Sequence, residues 1–428
     1  MSAAARGRWL PAAVLAVPFV VAIAVLRGLT VEIDTFHGTD AALYHLPTIL
    51  QFREGVDLGD YPAAQTPLFH LLFTGFGEVF GFEQWRLRLF NALLSYGAAL
   101  AVLRLLRRAT SLEPGQALLL TLVFVLSPYF FGASFSLLTD NLAILFAALA
   151  LERIHAYRGD RSAATFALAC FALCAAVLTR QSFLWLAPVA AWFLAVTPAS
   201  AHRRLAGATA LALALAPMAA LVAVWGGLVP PGADPASCGL CTDRPGVGRD
   251  ALTLRTVGFA VALFGAYAAV LHGPRVLGVL RDRRPDPRAL AAPLVAAVVL
   301  LAVSPLLYRP VGTGEPGDAG YLWKISDRLP ELLGSSLLFI ALVPTGSVAI
   351  FLLVRRAGWT SLPAVYLGAF LAAALPVSLV YQKYFDPFVL LALALLARPQ
   401  DLRRRGDLAG VAVLCVAFVA YALSFSGD

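Results

Sequence analysis

Apolar runs of about 17 to 25 residues recur from one end of this chain to the other, each long enough to cross roughly 30 Å of hydrocarbon as a helix. In lipid the backbone must satisfy its own hydrogen bonds, so a chain written this way folds as a bundle of helices. About thirteen runs stand out, at positions 10–26, 86–106, 115–131, 139–154, 162–178, 183–197, 205–228, 255–272, 289–307, 333–354, 361–380, 386–397 and 408–425. Composition agrees: 60% of the 428 residues are hydrophobic and 14% charged, too few polar side chains to coat a water-soluble globule of this length. The expected fold is an all-α polytopic membrane protein with about 13 (11–14) transmembrane helices.

The run at 10–26 follows Arg6 and Arg8 and has no small-residue cleavage site before the polar stretch Glu32 to Asp40. That predicts a retained anchor with a cytoplasmic N-terminus. Cytoplasmic loops accumulate Lys and Arg. Alternating the spans from this start puts 21 of the 33 basic residues inside, Arg104, Arg107, Arg108, Arg153, Arg355 and Arg356 among them, and leaves 12 outside. The net charge of +8 is then an insertion signal rather than a nucleic-acid footprint, and no nucleic-acid partner is expected. The chain's two lysines, Lys324 and Lys383, fall outside; so few lysines in an Ala-rich text point to a high-GC bacterial genome and its plasma membrane.

Two parts are expected: a catalytic module over 1–200 that includes the first outside loop, 28–85, and a set of C-terminal helices over 201–428 with outside loops at 229–254, 308–332 and 381–386. In "DAALYHLPTILQF" the residues Leu43, Leu46, Ile49 and Leu50 recur at helical spacing, which predicts a short interfacial helix that Pro47 kinks or restarts. "DYPAAQTPLFHLL" then turns at Pro62 and Pro67 and dips toward the next span. Cys238 and Cys241 form a lone CxxC in an outside loop, where a disulfide is favoured over a metal site that lacks two further ligands. Cys170 and Cys174, one turn apart in a span, read as small packing residues.

Topology assigns each polar motif a side independently of any functional idea. Asp34, His37, Asp40, His45, Tyr61, Gln65 and Thr66 lie in the first outside loop; Asp140 and Asn141 end "SPYFFGASFSLLTDN" in the second. Arg180 and Gln181 lie in "LTRQSFLW", and Lys383, Tyr384 and Asp386 in "YQKYFDPF". All four clusters fall on the outer face. Asp40, Asp140 and Asn141 can each be read instead as helix caps, and Arg180 and Lys383 as interfacial cations whose stems lie along apolar surface. Yet Arg180 is tightly enclosed by apolar runs, and burying a guanidinium costs several kcal/mol unless an anion or carbonyl meets it. A carboxylate with a histidine can supply a general base, and arginine with lysine can hold a phosphate, so transfer from an anionic lipid fits. The chain has no GxxxxGK[ST] or HExxH motif, and its cytoplasmic loops have no DxD to hold a nucleotide-bound metal.

In their order, these motifs resemble the GT-C glycosyltransferases, most closely the dolichyl-phosphate-glucose alpha-1,2-glucosyltransferase family. "DAALYHLPTILQF" is similar to that family's acidic-aromatic-His-x-Pro segment, "DYPAAQTPLFHLL" to its Asp-Pro and Thr-Pro-Pro turn, "PYFFGASFSLLTDN" to its aromatic run ending in Thr-Asp, and "TRQSFLW" to its Arg-Gln-Thr-Asn segment. "YQKYFDP" is a weaker echo of its late basic-aromatic loop. The sequence departs where an Asp-Glu pair has become Asp40-Ala41, where one proline follows Thr66, and where Thr-Asn has become Ser182-Phe183. The resemblance implies a GT-C-type helix bundle and an inverting transfer from a polyprenyl-phosphate sugar to a glycan or lipid-linked acceptor of the cell envelope on the outer face, without a cofactor or metal. It implies Asp40 as base with Asp34 in reserve, and Arg180 and Lys383 on the donor phosphate. His37, His45, Tyr61, Gln65, Thr66, Asp140, Asn141, Gln181 and Tyr384 would meet the substrates. Two other classes compete: a transporter or flippase of a lipid-linked sugar, which calls for paired halves with broken helices, and a scaffold subunit with replaceable loop carboxylates.

Overall fold

The computed structural model describes residues 3–24, 40–233, 254–282, 287–304, 306, 320–377, 380–403 and 405–424. Asp34, His37, Cys238 and Cys241 lie outside the described residues. Each of the thirteen apolar runs is occupied by helix. Four helices are long and apolar enough to cross a membrane, and a fifth span results if Pro114–Leu126 and Pro128–Phe135 count as one. Eight further apolar helices are 10–17 residues long, so the described residues do not reach thirteen full-length spans. Breaks in the runs explain the shortfall. Pro128 has no N–H to continue the ladder, and the chain bends by 66° there. The run at 183–197 divides into a 3-10 turn and an eleven-residue helix.

The chain divides into two compact units. One holds Met1–Ala109, Ala117–Arg244 and Val419–Asp428; the other holds Thr110–Gln116 and Pro245–Phe418. The division after Arg244 lies well beyond the expected boundary at residue 200, because the helix Ala201–Trp225 packs along Ala163–Thr179.

The first unit begins with α1 (Ala3–Ala24), a π-helical turn (Ala41–His45) and α2 (Leu46–Glu54), followed by α3 (Leu68–Phe80) and α4 (Gln84–Ala109). Then come α5 (Pro114–Leu126), α6 (Pro128–Phe135), α7 (Asp140–Asp160), α8 (Ala163–Thr179), α9 (Leu186–Val196) and α10 (Ala201–Trp225). Its frame is α7 against both α4 and α8, with α10 on the far side of α8 and α1 along α4. The π-turn, α2 and α3 form a cap whose apolar side chains Ala41, Ile49, Phe69 and Phe73 join Leu87 of α4 and Leu142 of α7 in one buried cluster. A short helix is therefore present where the apolar spacing called for one, with Pro47 in the first turn of α2, where its missing N–H costs nothing.

The second unit contains α11 (Leu254–Asp282), α12 (Pro287–Val303), α13 (Tyr321–Ser326), the strands β1 (Glu331–Leu332) and β2 (Ser335–Ser336), α14 (Leu337–Ala357), α15 (Leu362–Ala374) and α16 (Asp386–Leu396); the final helix, α17, covers Arg405–Ser424. The strands pair antiparallel, Glu331 opposite Ser336. α11 and α14 form the densest contact, with α12 on α14 and α16 on α11. The two backbones approach so closely that a Cβ on Gly346 would strike the Val261 carbonyl, and one on Gly265 the Leu342 carbonyl. Small residues at such crossings let helices gain dispersion contacts that lipid would otherwise supply.

Candidate functional site

The polar residues of the first unit gather around the cap. Asp40 has helical dihedrals (φ −61°, ψ −39°) and its side chain makes no capping hydrogen bond, so the cap reading of that aspartate does not hold. Asp140 likewise lies inside the first turn of α7, with Thr139 at the cap position and no side-chain cap bond. Asp40 instead opens a π-helical turn, closed by the Leu46 N–H on the Ala41 carbonyl. In an α-helix, residues five apart point about 140° away from each other. A turn closed by i→i+5 bonds takes up the extra residue and brings the fifth position back toward the first, and such turns recur at functional sites. The winding between Asp40 and His45 is therefore not that of a regular α-helix.

His45 is nearly buried, and its Nδ1 lies 3.0 Å from Nε2 of the fully buried His70 on α3. The rings stack at 5.2 Å, with Phe69 and Phe52 edge-on and Tyr61 tilted beside them. One nitrogen must donate and the other accept, so the pair fixes both tautomers together. His70 escaped the sequence reading because a lone histidine in "LFHLL" looks like any core residue; its only signal was that the chain spends one of six histidines there.

Several of the residues expected to meet the substrates tie the loop to the helices in this structure. Tyr61 is buried and donates to the Gln65 carbonyl at 2.8 Å; burial raises its phenol pKa. Thr66 is fully buried and donates to the Val177 carbonyl of α8 at 2.7 Å. The Gln181 amide donates to the Ala64 carbonyl at 2.6 Å, and the Trp225 indole to the Leu58 carbonyl at 2.7 Å. Asn141 is fully buried, its amide nitrogen 2.9 Å from Ser95 Oγ, 2.9 Å from the Phe130 carbonyl and 3.0 Å from Ser134 Oγ. In this structure Thr66 therefore ties the loop to α8 and the Asn141 amide nitrogen ties helices together, whatever else they contact.

The exposed centre is Arg180. α8 ends at Thr179, Arg180 takes an extended backbone (φ −158°, ψ 113°), and a 3-10 turn from Gln181 to Trp185 leads into α9. At this break the guanidinium Nη1 meets Asp140 Oδ2 at 2.7 Å and Thr139 Oγ1 at 3.3 Å. The side chains are 14% and 23% exposed. The anion needed to enclose an arginine here is therefore Asp140, and the two residues assigned to phosphate and sugar hold each other.

In the second unit, a 3-10 turn from Gln382 to Tyr384 presents Lys383, buried, with its ammonium 5.4 Å from the ring centre of Tyr384 and 5.9 Å from that of Tyr381. Both rings stabilise the cation through their π faces. Beside them Asp386, fully buried, accepts from the hydroxyl of Tyr267, from Tyr321 at 3.3 Å and from the Gln382 amide at 3.4 Å. Gln382 in turn accepts from the Leu322 N–H at 3.0 Å, so the network anchors α13 beside α16. Arg180 belongs to the first unit and Lys383 to the second. Among the described residues no three His, Cys, Asp or Glu side chains cluster as metal ligands do.

Residues 64–225 match the profile of the family described as dolichyl-phosphate-mannose-protein mannosyltransferase. The matched stretch contains Gln65, Thr66, His70, Asp140, Asn141, Arg180 and Gln181; it stops short of Asp40 on one side and of Lys383 on the other. No curated protein matches the chain. Solved structures similar to it include two of one protein. ArnT from Cupriavidus metallidurans in the apo state shares 15% identity over 98% of this chain and 78% of that one, with a TM-score of 0.40. The same protein bound to undecaprenyl phosphate shares 15% over 98% and 79%, with a TM-score of 0.43.

Proposed function

We propose that the protein is a membrane glycosyltransferase that takes a sugar from a polyprenyl-phosphate donor and passes it, with inversion, to a glycan or lipid-linked acceptor at the outer face of a bacterial plasma membrane. The observation that carries this is the match of 64–225 to a family whose description names a dolichyl-phosphate sugar, over the stretch that builds the Arg180–Asp140 pair. Asp40, with Asp34 in reserve, takes the proton of the acceptor hydroxyl. The acceptor oxygen bonds to the anomeric carbon while the bond to the phosphate oxygen breaks, and the electron pair leaves with the lipid phosphate. His45, held by His70, orients the base or the acceptor.

A guanidinium has five donors in a planar fork, and the contacts to Asp140 and Thr139 use Nη1. Asp140 holds the fork, while Arg180 stabilises the phosphate as negative charge develops on it. Asp140 is thus a positioning residue rather than a sugar contact. The test uses membranes carrying the full chain, a radiolabelled polyprenyl-phosphate hexose or pentose, and the variants Asp40→Asn and Arg180→Ala. Loss of the base lowers transfer by about 10²–10⁴-fold at unchanged protein level. Full transfer by Asp40→Asn would remove Asp40 as base. Passage of the lipid-linked sugar between leaflets with none consumed would favour the transporter. Activity abolished by EDTA and restored by a divalent cation would defeat the metal-free mechanism.

A further inference from the structure

Where α1 lies along α4, a cavity of about 480 Å³ opens between them. One wall is apolar, formed by Pro11 and Ala12 of α1 and Leu103 of α4; the other carries Arg104, Arg107 and Arg108. Positions 104, 107 and 108 share one face of the helix by their i, i+3 and i+4 spacing. The Tyr96 hydroxyl donates to the Ala12 carbonyl at 3.0 Å and fixes α1 beside this face. Charge here is unbalanced. Arg104 Nε lies 3.2 Å from Oε2 of the buried Glu152, and Arg108 contacts its other oxygen. Arg107 meets no carboxylate among the described residues, so three guanidinium groups face one carboxylate.

We propose that this cavity binds the phosphate of an anionic glycerophospholipid, with the headgroup on the arginines and the start of an acyl chain along Pro11, Ala12 and Leu103. The volume is that of a small-ligand site, and basic pockets between helices at the cytoplasmic side of a membrane take lipid phosphates. The charge rule places Arg104, Arg107 and Arg108 on that side, away from the face assigned to sugar transfer. An apolar wall is of no use to a free inorganic anion, which is why a lipid is the occupant.

Native mass spectrometry of the full chain in neutral detergent tests this, with titrations of phosphatidylglycerol, phosphatidylcholine and inorganic phosphate. The wild type should retain one phosphatidylglycerol in preference to phosphatidylcholine. Arg107→Gln, at an exposed residue outside the ion-pair cluster, should weaken that binding about fivefold, from about 1 kcal/mol per basic residue at a lipid surface. Ala12→Trp fills the apolar wall without altering charge and should weaken it as well. Wild-type affinity in both variants would overturn the proposal, as would equal binding of phosphatidylcholine. Displacement of the lipid by inorganic phosphate at equal concentration would overturn it by marking a soluble-anion site.

Discussion

Replacing Asp140 by alanine removes the carboxylate oxygen that lies 2.7 Å from Arg180 Nη1. A hydrogen bond between charged partners contributes about 1.5–3 kcal/mol, and a buried charge stripped of its partner costs a further ~1–3 kcal/mol of desolvation. With the pair 14% and 23% exposed, solvent returns part of that second cost, which places Asp140→Ala at about 3 kcal/mol and Arg180→Ala at a similar value. If the pair is formed, the double variant loses about 4 kcal/mol, not 6, and the coupling energy is about 2 kcal/mol. Thermal unfolding of the purified chain in mixed micelles reads this as a fall of about 2–4 °C per kcal/mol in each single variant. Additive single effects, with coupling below about 0.5 kcal/mol, would refute the pairing. The stability cycle also separates the two roles of Arg180: Asp140→Asn weakens its positioning, whereas Arg180→Ala removes the phosphate contact and should cost transfer far more than stability.

Three further outcomes are expected. His70→Leu removes one hydrogen bond from His45, worth about 1 kcal/mol or roughly fivefold in transfer, while His70→Gln, whose amide reaches the same position, keeps most of it; equal rates in both variants would mean that His70 only fills space. Gly346→Ala forces apart two backbones that cannot relax independently and costs about 2 kcal/mol, whereas Gly368→Ala, with nothing within 4 Å of the new Cβ, is neutral or slightly stabilising in a melting assay. Burial pushes the Asp401 carboxyl up, but the Arg356 fork at 2.6 and 2.8 Å, the Arg398 N–H and His272 together hold it below the ordinary value of 3.8. A depressed pKa gives stability that is present above 3.8 and is lost as pH falls through the lower folded value, so the melting temperature of the wild type drops there and that of Asp401→Asn does not.

The apolar runs placed most of the long helices, because a stretch without charge in a low-dielectric medium has few ways to satisfy its backbone other than helical bonds, but not Leu46–Glu54, Leu68–Phe80 or Tyr321–Ser326. The same runs misjudged length. A proline at 128 and an extended residue at Arg180 break helices at points that hydropathy averages away. At the candidate site residue type suggests partners that only packing supplies. Thr66 and Gln181 look like substrate ligands by residue type, yet their partners are carbonyls at Val177 and Ala64, more than a hundred residues away in the chain. A buried polar side chain must find a partner, and which partner it finds depends on how distant helices pack. For the same reason only the tertiary structure could set His70 against His45. It likewise gave Arg180 the carboxylate that the sequence had required without naming.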